Sequence, residues 1–168
     1  STVGAGAGLP LAGVIAVVVL SRVTKRIQRR LRDAGIVDNV CTNAAKEAWD
    51  PAGIFEWNSF VAVSNFGIAD DDVFTRTAPA DQIVGDAEVM SEAIFTEYGR
   101  SALRLQLHAK KTCAMFSLAG GGKEVASKLI QQLTRDHGGI PFSVGGAGRI
   151  MPVATEYKHI GCQTRADG

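Results

Sequence analysis

The sequence predicts an α+β fold, short antiparallel strand pairs packed on helices, and three observations carry that expectation. An apolar run at 9–20 continues into Val23, Ile27 and Leu31 at four-residue intervals, the spacing of one helix face. Apolar, strand-like segments at 59–63 and 73–75 flank the triplet Asp70-Asp71-Asp72. Ile83, Ala87, Met90, Ile94 and Tyr98 again fall at helical spacing. Helices and strands alternate without the regular βαβ repeat of a parallel sheet. At 168 residues, 46% of them apolar, the chain has material for one packed domain.

Taken in order, Pro10 opens the first helix, where a missing N–H costs nothing, and Gly35 after Ala34 stops it. Residues 38–58 are mixed, with a turn at Trp49-Asp50-Pro51. The strand pair around Asp70 follows, then a helix opened by Pro79 and closed by Gly99. Segments 103–107 and 112–118 read as extended chain around a turn at His108-Ala109-Lys110-Lys111. Gly120-Gly121-Gly122-Lys123 leads into a short helix at 124–133. Residues 138–148 read as a glycine-rich loop with a short strand at 140–144, and strands at 150–153 and 157–161 close the chain.

Charge is distributed in blocks although the net charge is only +1. Residues 22–32 carry six bases and no acid; residues 66–97 carry eight acids against Arg76; from Arg100 onward ten bases face four acids. Basic regions flanking an acidic centre suit a polyanion held beside a metal, and solvated helix faces produce the same blocks. Cys41, Cys113 and Cys162 are scattered without CxxC or Cys/His spacing, which argues against a disulfide framework or a zinc site and for an intracellular setting, nucleus or cytoplasm. The twelve apolar residues at 9–20 fall short of the ~20 needed to span a bilayer, so no membrane partner is expected. Gly120-Gly121-Gly122-Lys123-Glu124 lacks the GxxxxGK[ST] spacing of a phosphate loop, and Gly4-Ala5-Gly6-Ala7-Gly8 does not complete GxGxxG.

The acidic triplet carries the chemistry. A tight turn between two strands crowds Asp70 and Asp71 at a hairpin tip, where like charges make ionisation costly unless a cation sits between them. A hard divalent ion removes that cost, binding through one or two carboxylates plus substrate phosphates. The competing reading is a solvated acidic turn, since Asp favours turns.

The order of the signals is more specific than any one of them. Ile68-Ala69-Asp70-Asp71 resembles a [YF]-A-D-D metal motif, and Gly8-Leu9-Pro10-Leu11-Ala12 resembles part of a G-x-R-x-G-D-P-L segment. Leu105-Gln106-Leu107-His108-Ala109-Lys110-Lys111-Thr112 is similar to L-N-x-x-x-x-K-T, and Tyr157-Lys158-His159-Ile160-Gly161 to Y-K-H-L-G. In this order and spacing, from about residue 4 to the end, the chain resembles the palm of a reverse transcriptase of the non-LTR (LINE-like) retrotransposon family. The resemblance implies a partial polymerase palm, an antiparallel sheet packed on at least two helices, in an RNA-directed DNA polymerase. It implies nucleotidyl transfer with two divalent metals, Mg²⁺ or Mn²⁺, ~3.5–4 Å apart. The partners would be an RNA template, a DNA primer and dNTPs. Asp70 and Asp71 would be the metal ligands, and Lys111 the general acid toward pyrophosphate. Gly8 and Pro10 would shape the loop against the incoming nucleotide and template. Tyr157, Lys158, His159 and Gly161 would form the hairpin supporting the primer terminus.

The departures set a second expectation. The family's metal site takes a further Asp from an earlier palm strand, which is not among these residues; the first motif reads Gly6, Ala7 and Leu9 at its Arg, Gln-like and Asp positions. Ile68 replaces the aromatic, and Asp72 falls where the family has an apolar strand residue. The chain is therefore expected to be a fragment of a longer enzyme or a decayed copy, inactive by itself. The alternative is a catalytically inactive palm-like nucleic-acid-binding or interaction module.

Overall fold

Burial of Val23, Ile27 and Leu31, each within 1% of complete, is what holds the first helix to the rest of the chain. In the computed structural model, which describes residues 12–41, 60–63, 65–68, 71–159 and 162–166, helix α1 spans Ala12–Asp33. Each of those side chains contributes about 1.5–3 kcal/mol relative to exposure. The helix stops where the sequence predicts. Gly35 takes φ +73°, its N–H bonds the Arg32 carbonyl at 3.0 Å, and Ile36 N–H reaches the Leu31 carbonyl at 2.8 Å. That closure satisfies two of the helix's last carbonyls and presses Ile36 into the core beside Leu31. The expected start at Pro10 lies outside the described residues.

Strand β1 (Asp38–Cys41) pairs antiparallel with β2 (Phe60–Val63), and β3 (Asn65–Ile68) with β4 (Asp71–Phe74). The apolar run expected before the acidic turn is thus partnered by β1, and a separate strand faces the aspartates. Helix α2 spans Ile83–Arg100. Pro79 opens a turn before it, its carbonyl accepting from Gln82 at 2.9 Å and Ile83 at 3.1 Å. Gly99 does not end α2. Ala102 takes the left-handed conformation (φ +57°), with Leu103 N–H on the Tyr98 carbonyl at 3.0 Å. A non-glycine there costs about 1–2 kcal/mol, offset by the packing of Leu103 on the core.

Residues 103–118 are extended but form no ladder, only isolated bridges at Leu107–Thr112 and Ala114–Val153. Ala114 N–H bonds the Pro152 carbonyl at 2.8 Å, and Pro152, having no N–H, cannot extend the pairing. The segment is held instead by alternate side chains: Leu103, Leu105, Leu107, Ala114, Phe116 and Leu118 all pack on the cores.

Helix α3 spans Lys123–His137, longer than the sequence suggests, because the left-handed stop is Gly138 (φ +83°), whose N–H bonds the Thr134 carbonyl at 2.8 Å. The expected short strand at 140–144 is β5, and the glycine-rich stretch around it folds as a hairpin. Strand β5 (Ile140–Val144) pairs with β6 (Ala147–Met151) across Gly145-Gly146, both at positive φ, the two-residue connection whose twist matches the strands. The chain closes with β7 (Glu156–His159) paired with β8 (Cys162–Arg165).

The fold is α+β, its described strands arranged as four two-stranded antiparallel ribbons. Helix α2 is central. One side, with Met90, Ala93 and Tyr98, meets α1 and Phe74; the other, with Val84 and Phe95, meets α3 and the β5–β6 ribbon. Ile94 and Leu105 pack on both clusters. Among the described residues, no helix is long and apolar enough to cross a membrane.

Candidate functional site

The site begins as a question of register. Asn65 faces Phe74, Phe66 faces Val73, Gly67 faces Asp72 and Ile68 faces Asp71. The two strands therefore run into each other across Ala69 and Asp70, which lie outside the described residues. The strands flanking Asp70 are paired, as a hairpin carrying an acidic tip requires.

One face of β4 is anchored on the helices. Asp72 and Phe74 are two residues apart and so share a face. Phe74 packs on the core between α1 and α2. Asp72 Oδ2 accepts a hydrogen bond from the Tyr98 hydroxyl at 2.8 Å and a longer one from Thr24 Oγ1 at 3.5 Å. Burial, then the hydrogen bond to Asp72 and its charge, raise the Tyr98 pKa far above the usual phenol range. Asp72 thus fixes the hairpin to both helices, a role the motif comparison does not suggest. Tyr98 and Thr24 are partners of Asp72 that sequence reasoning missed. The signal was present: a buried phenol must find a partner, and Tyr98 sits in an otherwise apolar stripe.

Other acids of the negative block are also occupied internally. Glu97, only 2% exposed, is met by Arg100 at 3.0 Å and Arg30 at 3.7 Å. Arg76 donates to Asp86 at 2.7 Å, to Asp38 at 3.3 Å and to the Val37 carbonyl at 3.1 Å, while Asp38 accepts from the Thr77 N–H at 2.7 Å. The hydrogen bond to Asp86 is the largest cause of the raised Arg76 pKa. Two of the eight acids of the block, Asp86 and Glu97, are thus held in ion pairs within the fold. Cys113 is no activated nucleophile, since burial pushes its thiol pKa up.

Of the remaining expected residues, Lys111 lies on a connection and Tyr157, Lys158 and His159 on strand β7. Lys111 is exposed at the end of the turn between the two extended segments. Its N–H bonds the His108 carbonyl at 2.8 Å, and His108 Nδ1 accepts from the Lys110 N–H at 3.1 Å. Tyr157, Lys158 and His159 follow one another on β7, opposite Thr164, Gln163 and Cys162. Gly161 falls between β7 and β8 and, with Gly8, Pro10 and Asp70, lies outside the described residues. For a hard divalent ion, the donor type of Asp70 and Asp71 fits: carboxylate oxygens on adjacent residues. Among the described residues, no three His, Cys, Asp or Glu side chains gather as a metal centre would require.

No family model, curated protein or solved structure matches the chain.

Proposed function

We propose that the chain is the palm portion of an RNA-directed DNA polymerase, a reverse transcriptase of the retrotransposon type, acting on an RNA template, a DNA primer and dNTPs. The observation that carries the reading is the β3–β4 register, which brings the strands together on either side of Ala69-Asp70 and backs them on two helices. The element order adds support: helix, acidic hairpin, helix, Lys-Thr turn, closing ribbon, the order of the motifs in the resemblance.

In this reading Asp70 and Asp71 hold Mg²⁺ or Mn²⁺. The metal supplies activation of the primer 3′-OH and charge stabilisation on the leaving pyrophosphate. Lys111 delivers a proton to the leaving group, Gly8 and Pro10 shape the nucleotide-facing loop, and the strand carrying Tyr157, Lys158 and His159, with Gly161, supports the primer end. Asp72 takes no part in the chemistry; its bonds to Tyr98 and Thr24 keep the hairpin at a fixed height above α1 and α2. Two carboxylates do not furnish the ligands of two metal ions, so the chain alone is expected to give primer extension at background.

The test is Mn²⁺ binding by the chain, followed by electron paramagnetic resonance in the presence of dNTP. One ion should bind, and Asp70→Asn should weaken it at least tenfold. Loss of binding in neither Asp70→Asn nor Asp71→Asn overturns the reading. A second reading, an inactive palm-like nucleic-acid-binding module, is favoured by the internal pairing of Asp72, Asp86 and Glu97. Template–primer binding without any Mn²⁺ site selects it.

A further inference from the structure

We infer that the outer face of α1 is a docking surface for the phosphodiester backbone of a nucleic-acid duplex, separate from the acidic hairpin. Arg22, Lys25, Arg26, Arg29 and Arg32 are all exposed. At 3.6 residues per turn they form one stripe about 120° wide and about 15 Å long, nearly opposite the buried stripe of Val23, Ile27 and Leu31. Thr24, which reaches Asp72, lies on another side of the helix, so the stripe faces away from the β3–β4 anchor.

The stripe is not accounted for by folding. Arg22 with Lys25 and Arg26, Arg29 with Lys25 and Arg26, and Arg29 with Arg32 are pairs three or four residues apart, where like charges repel. The other arginines near the acids are used: Arg30 and Arg100 meet Glu97, and Arg76 meets Asp86 and Asp38. The five stripe residues form no salt bridge among the described residues, and Asp33 at the helix end is the one acid on their face. The helix dipole favours Arg32 in the last turn, but Arg22, Lys25 and Arg26 lie too far from that end to gain from it. A helix that carries this repulsion without internal compensation is matched by a polyanion.

The chemistry favours phosphodiester over a lipid surface. Four of the five cations are arginines, whose planar fork engages phosphate oxygens in pairs. Fifteen ångströms of duplex axis carries about nine phosphates, enough to face every cation of the stripe. A helix that lies on a membrane needs an apolar side for the lipid; over 22–32 that side is consumed by the core, and the exposed Ile15, Val17 and Val18 all precede the stripe.

The inference holds whether or not the hairpin binds metal, and its test keeps the two apart. Fluorescence anisotropy of the full chain with a labelled mixed-sequence RNA–DNA duplex should give a log affinity against log salt slope near −4.5 for five contacts. That corresponds to a loss of roughly 500-fold between about 50 and about 200 mM salt. The variant carrying Arg22→Gln, Arg26→Gln and Arg29→Gln should lose about 2.7 from the slope, with its far-ultraviolet circular dichroism unchanged. The matching Arg→Lys triple should keep the slope. A slope unaltered in the Gln triple overturns the inference, as does loss of duplex binding in Asp70→Asn alone, which would put the contact at the hairpin. Tighter binding to equimolar phosphatidylcholine–phosphatidylserine vesicles than to duplex also overturns it, assigning the stripe to lipid.

Discussion

The ribbons β3–β4 and β5–β6 are of similar size, yet they are attached to the molecule by opposite means. β5 buries Ile140 and Phe142 at alternate positions against α2 and α3, and its connection is Gly145-Gly146, a pair chosen for backbone conformation. Phe142 meets Phe95 with ring centroids 5.1 Å apart. β4 places a phenylalanine and an aspartate on its inner face, Phe74 in the core and Asp72 on a phenol. The first ribbon is attached by packing, through β5 and Met151. In the second, the strand opens on Asp71-Asp72, and the inner-face acid Asp72 is held by a hydroxyl and not by apolar packing. The contrast is one of attachment: β5–β6 is held by apolar burial, β4 by one apolar side chain and one hydrogen-bonded carboxylate.

The contrast breaks first at Gly139. A Cβ there would sit against the Met151 carbonyl oxygen, at the end of the β5–β6 ladder. Since the obstacle is backbone, the strand ends must separate, and Gly139→Ala should cost about 3 kcal/mol in urea unfolding. Because the Phe95 side of α2 packs on this ribbon, the loss should be global. A variant of unchanged stability would mean that the ribbon is not fixed by close packing, and the distinction between the two hairpins would fail.

The corresponding test on β3–β4 is Tyr98→Phe, which removes one hydroxyl and leaves a half-buried carboxylate with only the distant Thr24 donor. A loss of about 1–2 kcal/mol at neutral pH is expected. The pH dependence carries a sign. The folded-state pKa of Tyr98 lies above its ordinary value of 10.0, so the folded chain holds the phenol proton more tightly than the unfolded chain does. That contribution is complete below pH 10 and is lost as pH rises through the folded value. Wild-type stability should therefore fall at strongly alkaline pH more steeply than that of Tyr98→Phe, and parallel curves would show that the phenol is not held buried against Asp72.

How much of this was legible beforehand follows from the same physics. The apolar periods of α1 and α2 and the turn-flanking strand β4 are readable because each is local, but the partner across Asp70 is 65–68 and not the more apolar run 59–63, which pairs with β1 instead. The stop at Ala102 is not readable, because Gly99 three residues earlier offers the better conformational signal and only the packing of Leu103 reveals the real end. The 103–118 segment reads as strand by alternation, yet alternation reports burial on one face and not the partner that completes a ladder. Strand β5 is legible at 140–144, but its pairing with Ala147–Met151 is hidden by the glycines between them, whose abundance suggests a loop until positive φ is assigned to Gly145 and Gly146. At the site, Asp72 was visible as an acid but not as an anchor, since its partners lie 26 and 48 positions away in sequence.

The finest test separates those two partners. Thr24 Oγ1 reaches Asp72 Oδ2 at 3.5 Å, the outer limit of a hydrogen bond, whereas the Tyr98 hydroxyl reaches the same oxygen at 2.8 Å. Hydrogen-bond strength falls steeply with distance, and valine reproduces the shape of threonine without the hydroxyl. Thr24→Val should therefore change stability by no more than about 0.5 kcal/mol, well below Tyr98→Phe. In a double-mutant cycle the two should be coupled, because both act on one carboxylate oxygen and each becomes more important when the other is lost. Additive effects would mean that Asp72 is held by Tyr98 alone. The hairpin would then hang from α2, with α1 free to serve its outer basic face without disturbing the acids.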